Sequence, residues 1–445
     1  MPHRSRLSSV LSRRELLRAG TVGGLVVVAP GVFGGCSDDS GSSPPKGDEG
    51  AGKIKLVSSN VRRAGVDPSA INVGTATVVA LGGGLYGRLV GSDNLAISPL
   101  SAAVALGMTV NGAAGKTRDE MLEVLAADDV QGLDDGLNAL TAYVESLAGP
   151  VPHSKDEIAL DSANQLFGQA GERWEQPFLD ALASSYGAGL REVDFEQATE
   201  QARVAINDWT AEQTHDRIPE IVPSGAVDEA TLMVLVNALY FKAPWLQPFD
   251  KGATTDDDFH LGDGTAVSVP TMHGSATVID GDGWRAARIA YSGFTLAMTV
   301  VLPDEGREND LDALVASGGL AGLLAADGGE AALSLPRWTF LVGSPLNDAL
   351  GAMGMATAFD PEAADFSGMT TQDKLFVSAV LQQVFIAVDE TGTEAAAATA
   401  VVMTADSAQA DPPQPLVVDR PFVFVIHDTE HGTPLFLGKV VDPRG

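Results

Sequence analysis

The chain has a single cysteine, Cys36, in 445 residues. Neither an intrachain disulfide nor a cysteine-based zinc cluster can form. Basic residues are scarce: 28 Lys and Arg stand against 59 Asp and Glu, a formal net charge of −31. That balance excludes nucleic acid as a partner, because a phosphate backbone needs clustered cations. No Gly-x-Ser-x-Gly elbow occurs, so the commonest signature of a serine hydrolase is missing. The hydrophobic fraction of 45% is too high for a disordered chain and ordinary for a globular one.

The first 35 residues read as an export signal. Ser12-Arg13-Arg14-Glu15-Leu16-Leu17 is a twin-arginine pattern, and an apolar run from Ala19 to Phe33 follows it. The run is short for a bilayer span and suits the core of a leader. It ends in Phe33-Gly34-Gly35-Cys36, similar to a bacterial lipoprotein cleavage site with Phe where Leu is usual; Cys36 is the acylated residue on that reading, and an incidental one behind an ordinary cleaved signal on the other. Residues 36–67 read as a tether, Ser-, Gly-, Asp- and Pro-rich over its first half. The leader carries five Arg and one Glu, so the mature chain bears −31 − 4 = −35. So acidic a body is repelled by anionic lipid, which leaves the anchor as the expected membrane contact.

Residues 68–445 contain no second linker and no repeat, and read as one α+β domain. Helical spacing marks 75–90, 100–110, 116–125, 174–186, 200–214 and 345–353; strand patterns mark 232–241, 295–302, 331–336, 376–388, 422–426 and 434–441. Gly82-Gly83-Gly84-Leu85-Tyr86-Gly87 matches a dinucleotide-binding string but sits inside a helical pattern, where small residues serve close packing. His427 and His431 are four apart in a turn, with no third ligand, so no metal site is expected there. Asp256-Asp257-Asp258 reads as a solvated acidic loop, lacking the ligand alternation of a calcium loop. No cofactor and no catalytic constellation are expected.

The informative stretch is Asp389-Glu390-Thr391-Gly392-Thr393-Glu394-Ala395-Ala396-Ala397-Ala398-Thr399-Ala400-Val401-Val402-Met403, continuing to Ala410 without Pro, Lys or Arg. Alternate positions give a row of Thr393, Ala395, Ala397, Thr399, Val401 and Met403, the small-to-medium face of a strand. The absence of Pro leaves every backbone N–H free to pair. Composition alone favours an Ala-rich helix or linker, since Ala has the best helix propensity. Its place between two strands near the C-terminus suggests instead a segment that is a loop in one state and a central strand in another, with Gly392 as hinge.

At this point the chain resembles a serpin over about residues 68–445. Four motifs carry the likeness: Asp389–Ala396, Asn94-Leu95-Ala96-Ile97-Ser98-Pro99-Leu100-Ser101, Leu235-Val236-Asn237-Ala238-Leu239-Tyr240-Phe241-Lys242-Ala243-Pro244-Trp245, and the terminal pair Asp419-Arg420-Pro421-Phe422 with Pro434-Leu435-Phe436-Leu437-Gly438-Lys439-Val440. The resemblance implies an α+β fold of three β-sheets, eight or nine helices and an exposed reactive loop at about 390–411. It implies a monomeric suicide inhibitor, not an enzyme. A target serine protease, in some cases a cysteine protease, attacks the loop and is trapped as an acyl-enzyme when the cut loop inserts into the main sheet. A non-inhibitory binding or scaffold protein on the same fold is the alternative.

By the same resemblance Glu390, Gly392, Thr393, Glu394, Ala395, Ala396, Ala397 and Ala398 form the hinge. Ser98, Ser101 and Asn237 form the polar shutter under the sheet opening. Gln382 stands there where the family usually has His, and Trp245 marks the breach at the top of the sheet. Counting forward from Glu390 puts the reactive bond at Asp406–Ser407; counting back from Pro421 shifts it toward Ala410, and Met403 or Ala405 are further alternatives. An Asp before the bond implies an Asp-preferring protease, and the other positions imply chymotrypsin- or elastase-like enzymes. Lack of Lys and Arg across 391–411 argues against trypsin-like targets.

Overall fold

The computed structural model describes residues 54–152, 154–394 and 414–445. In chain order the strands begin with β1 (Lys55–Val57), β2 (Leu95–Ile97), β3 (Gly149–Pro150), β4 (Glu157–Gln169), β5 (Leu190–Val193), β6 (Met233–Pro244), β7 (Thr255–His260), β8 (Ala266–Gly281) and β9 (Trp284–Ala290). They continue with β10 (Leu296–Pro303), β11 (Gly329–Pro336), β12 (Trp338–Pro345), β13 (Ala379–Asp389), β14 (Gly392–Thr393), β15 (Leu416–Val417), β16 (Phe422–Asp428) and β17 (Pro434–Val440). The helices are α1 (Ile71–Leu89), α2 (Pro99–Val110), α3 (Gly115–Val124), α4 (Val130–Ser146), α5 (Gln176–Tyr186), α6 (Phe195–Gln213), α7 (Glu308–Ala316), α8 (Leu320–Leu324) and α9 (Asn347–Met353).

The strands build two hydrogen-bonded ladders. The first runs β1-β5-β4-β6-β14-β13-β12, with β3 attached to β4. The second runs β15-β11-β8-β9-β10-β16-β17-β2, with β7 attached to β8. Three sheets are expected from the sequence. Here β8 pairs at its start with β7 and at its end with β9, which merges two groups of strands into one ladder.

Local chemistry explains the elements that matter. Ser98 caps α2, its Oγ accepting from the Ser101 N–H, and Pro99 opens the helix where no N–H is needed. Every residue of α2 is buried, so it is an interior helix with no solvent face. Glycines let α1 lie close to its neighbours: a Cβ at Gly74 would meet the Gly136 carbonyl of α4 at 2.4 Å, and one at Gly82 would meet the Pro99 ring at 2.8 Å. The glycine-rich string 82–87 thus lies within a packed helix, not at a strand–helix mouth.

Strand β6 is apolar on both faces. Leu235, Leu239 and Phe241 enter the main core, while Val234, Val236 and Ala238 enter a second core beneath α6 and the segment that follows it. In that second core Phe195, Ala202 and Ile206 of α6 meet Ile218, Ile221 and Val222 of the connector to β6.

Two sequence expectations are corrected. Residues 54–67, the second half of the expected tether, are structured: β1 pairs antiparallel with β5 (Leu56 opposite Arg191), and Arg63 bonds Asn138, Thr141 and Glu145 of α4. Backbone pairing and one guanidinium fork hold this stretch despite its low apolar content. Asp256, Asp257 and Asp258 lie on edge strand β7, not in a loop; charge on an edge strand disfavours pairing with another chain.

Candidate functional site: a sheet opening and its polar latch

Strands β6 and β13 run parallel and are paired only along their lower halves, Ala379–Gln383 against Val234–Ala238. Above that they part, and β14 stands between them. Gly392 pairs with Pro244 on one side and Asp389 on the other; Thr393 pairs with Ala243 and Val388. Both pairings are antiparallel. The Glu394 N–H extends the ladder to the Ala387 carbonyl at 2.8 Å. The chain leaves the sheet at Glu394, whose φ of 49° is left-handed and unusual for a side chain other than Gly, Asn or Asp.

The top of the opening is packed around Trp245. Its indole stacks on Tyr291 with ring centroids 4.5 Å apart, and its Nε1 donates to the Asp389 carbonyl at 2.9 Å. The Tyr291 hydroxyl shares a hydrogen bond of 2.6 Å with Thr393 Oγ1, and both groups are buried. Burial raises the Tyr291 pKa far above its ordinary value, so the phenol stays neutral. Glu390 is held by Thr254 Oγ1 at 2.8 Å and faces Arg337 at 3.5 Å. The backbone carbonyls of Glu390 and Thr391 accept from Phe249 and Trp245.

Below the opening, three polar residues stand abreast on neighbouring strands: Asn164 of β4 is the register partner of Asn237, and Asn237 is that of Gln382. Beneath them lies the start of α2. Gln382 Oε1 accepts from the Ser98 N–H at 3.0 Å, and its Nε2 donates to the Ser98 carbonyl at 3.0 Å and to Asn237 Oδ1 at 2.5 Å. Ser101 Oγ donates to Asn164 Oδ1. Ser98, Ser101, Asn237 and Gln382 are all buried, and Asn237 Nδ2 has no acceptor among the described residues. A primary amide offers both a donor and an acceptor edge, so Gln382 meets both backbone groups of Ser98 without a titrating group.

The structure therefore brings Ser98, Ser101, Asn237 and Gln382 together in one cluster, and Trp245, Glu390, Gly392, Thr393 and Glu394 in another at the top of the same opening. Ala395, Ala396, Ala397 and Ala398, the reactive-bond positions Met403, Ala405, Asp406, Ser407 and Ala410, and Cys36 lie outside the described residues. Tyr291, Asn164 and Arg217, whose guanidinium pairs with the Glu394 carboxylate, belong to the site and carry no sequence signal. Tyr291 directly follows β9 and forms an antiparallel bridge with Trp245, and nothing in spacing ties it to a threonine 102 positions on.

A sheet with a wedge of two loop residues between parallel central strands, closed below by a buried amide, defines a protein built to accept another strand. Residues 77–443 match the family profile described as serpin (serine protease inhibitor). The chain belongs to the serpin family. An uncharacterized serpin-like protein of Thermococcus kodakarensis is 35% identical over 366 residues, covering 81% of this chain and 83% of that protein. The leukocyte elastase inhibitor of Sus scrofa is 34% identical over 364 residues, covering 79% and 94%. Among solved structures, the thermophilic serpin tengpin in its native state superposes with a TM-score of 0.73 at 27% identity, covering 87% of this chain and 97% of that one.

Proposed function

We propose that the protein is a suicide inhibitor of serine proteases, exported and held outside the cytoplasmic membrane through Cys36. The observation that carries this reading is the wedge. Gly392 and Thr393 already pair with both β6 and β13 in the antiparallel sense that a full inserted strand requires. A protease that cuts the loop beyond Glu394 frees the strand to continue down the opening. About a dozen residues gain partners, and at about 1 kcal/mol per net hydrogen bond the gain is on the order of 10 kcal/mol. The acyl-enzyme is carried along before water releases it. The intact form is then a kinetically trapped state.

The reactive bond on this reading is Asp406–Ser407, which directs the inhibitor at an Asp-preferring protease. The test is incubation with a panel of serine proteases followed by denaturing electrophoresis. The proposal expects a covalent complex with at least one protease, and mass spectrometry of the released peptide gives the bond. Cleavage by every protease with no complex favours a non-inhibitory binding protein on the same fold. Labelled-lipid incorporation, lost in Cys36→Ser, tests the anchor.

A further inference from the structure

The segment that leads from α6 into β6 crosses the opening on the outer face of the sheet. Two consecutive residues in it, His215 (φ 51°) and Asp216 (φ 61°), are left-handed without being glycine. Such backbone costs free energy and persists only where the surroundings hold it. Here they do. His215 Nε2 lies 3.0 Å from Asp161 Oδ2 on β4, and its ring packs on Tyr240 of β6 with centroids 4.5 Å apart. On the far side, Gln383 of β13 donates to the Glu220 carbonyl at 2.9 Å. The connector is thus fastened to strands on both sides of the gap.

Arg217 lies between those fastenings. Its guanidinium sits 5.3 Å above the Phe385 ring of β13, and its Nε donates to the Glu394 carboxylate. Glu394 is the residue at which the chain turns out of the sheet, and it too is left-handed. Its carboxylate is largely covered; burial raises its pKa, and the Arg217 charge opposes that rise.

We infer that Arg217 is the positioning residue that stops the intact loop two residues into the sheet, by pinning Glu394 in the turned-out conformation. This rests on the inhibitory reading above. Without the pin, Glu394 relaxes to an extended φ, which aims the following residues down the opening. The register favours the same motion, because β14 is already aligned with both neighbours. Arg217 therefore protects the uncut protein from inserting its own loop and losing its bait.

The experiment uses the full chain, incubated uncut at a fixed temperature. Samples taken over time are challenged with thermolysin, a metalloprotease that nicks an exposed loop and forms no acyl-enzyme, and are melted in parallel. In Arg217→Ala, resistance of the loop to nicking is expected to develop about five- to tenfold faster than in the parent. The resistant, uncut material is expected to melt higher than fresh protein. Glu394→Gln, which keeps size and removes the charge, should behave like Arg217→Ala, and Arg217→Lys should fall between it and the parent.

Equal rates in parent and both charge-removing variants overturn the inference. So does faster inactivation that comes with a lower melting temperature, because that is ordinary destabilisation. A variant that fails to fold leaves the decision to Glu394→Gln and Arg217→Lys. Failure of the inhibitory reading has a separate signature: thermolysin nicking of the fresh parent then raises its melting temperature not at all.

Discussion

Asn237 and Gln382 are register partners on parallel strands, and the Gln382 amide joins them at 2.5 Å at the level where the two strands begin to part. The bond closes the sheet just beneath the gap, and the same amide ties the sheet to both backbone groups of Ser98 at the head of α2. Any strand entering from above has to break this bond and replace it.

Gln382→Ala leaves the buried Ser98 N–H without its acceptor, at about 1–3 kcal/mol, while the Ser98 carbonyl keeps its bond from the Ala102 N–H. The denaturant midpoint of the intact protein is expected to fall accordingly. Gln382→His places a titrating ring in the same cavity. Its burial disfavours the charged form, so stability should decline as pH falls through about 6.5, more steeply than the buried His427 alone makes it decline in the parent.

Thr393→Arg tests the wedge. Thr393 is 2% exposed and bonded to the Tyr291 hydroxyl, so a guanidinium there has to be buried without a counter-charge or kept out of the sheet. The variant is expected to be cut by the target protease at the parental rate while forming no covalent complex. Tyr291→Phe removes only the hydrogen bond and should raise the fraction of cut, released inhibitor by a few-fold, corresponding to about 1 kcal/mol.

Continuing the β14 register downward makes a position-specific prediction. Thr393 faces Ala243 and Val388; six residues further along all three strands, Thr399 comes opposite Asn237 and Gln382. A hydroxyl there suits the unpaired Asn237 Nδ2. Thr399→Val should leave the intact protein's melting temperature unchanged and lower that of the loop-cut form, by an amount corresponding to about 1–3 kcal/mol. An equal melting temperature in both cut forms would mean that the strand enters in another register.

Two buried groups give opposing pH terms. His427 lies buried in β16, bonded to Thr299 Oγ1 and the Asp428 carbonyl, and burial pushes its pKa from 6.5 down to about 4. The unfolded chain therefore takes up the proton first, and stability falls as pH drops from 6.5 to about 4. Asp134, covered by Tyr186, Asn111 and Ser185, has its pKa raised by burial from 3.8 to about 6. The folded form takes that proton first, so this contribution rises as pH drops from about 6 to 3.8. Each amounts to on the order of 3 kcal/mol. Relative to the parent, where the two contributions largely offset, stability should fall as pH drops from 7 to 4 in Asp134→Asn and rise over the same range in His427→Gln.

Much of this fold is legible in the residues. Ser98-Pro99 announces α2, Gly354 closes α9, and the apolar run at 232–241 becomes the double-faced strand β6. What escapes is informative. Helix α4 contains Gly132 and Gly136, which weaken a propensity reading; Gly136 is there because α1 crosses it at Gly74. Strand β4 carries Asp161, Asn164, Gln165 and Gln169 among its apolar residues, and those polar groups are answered by tertiary partners that no local pattern reveals. The hinge composition is visible in the sequence. That the chain turns out at Glu394, under Arg217, depends on a contact 177 residues apart.

Thermal unfolding of the protein before and after a single thermolysin nick between positions 403 and 411 bears most directly on loop insertion. Strand addition on the order of 10 kcal/mol predicts a melting temperature raised by roughly 12 °C, with the two fragments still associated. A nicked protein that melts where the intact one does would contradict it.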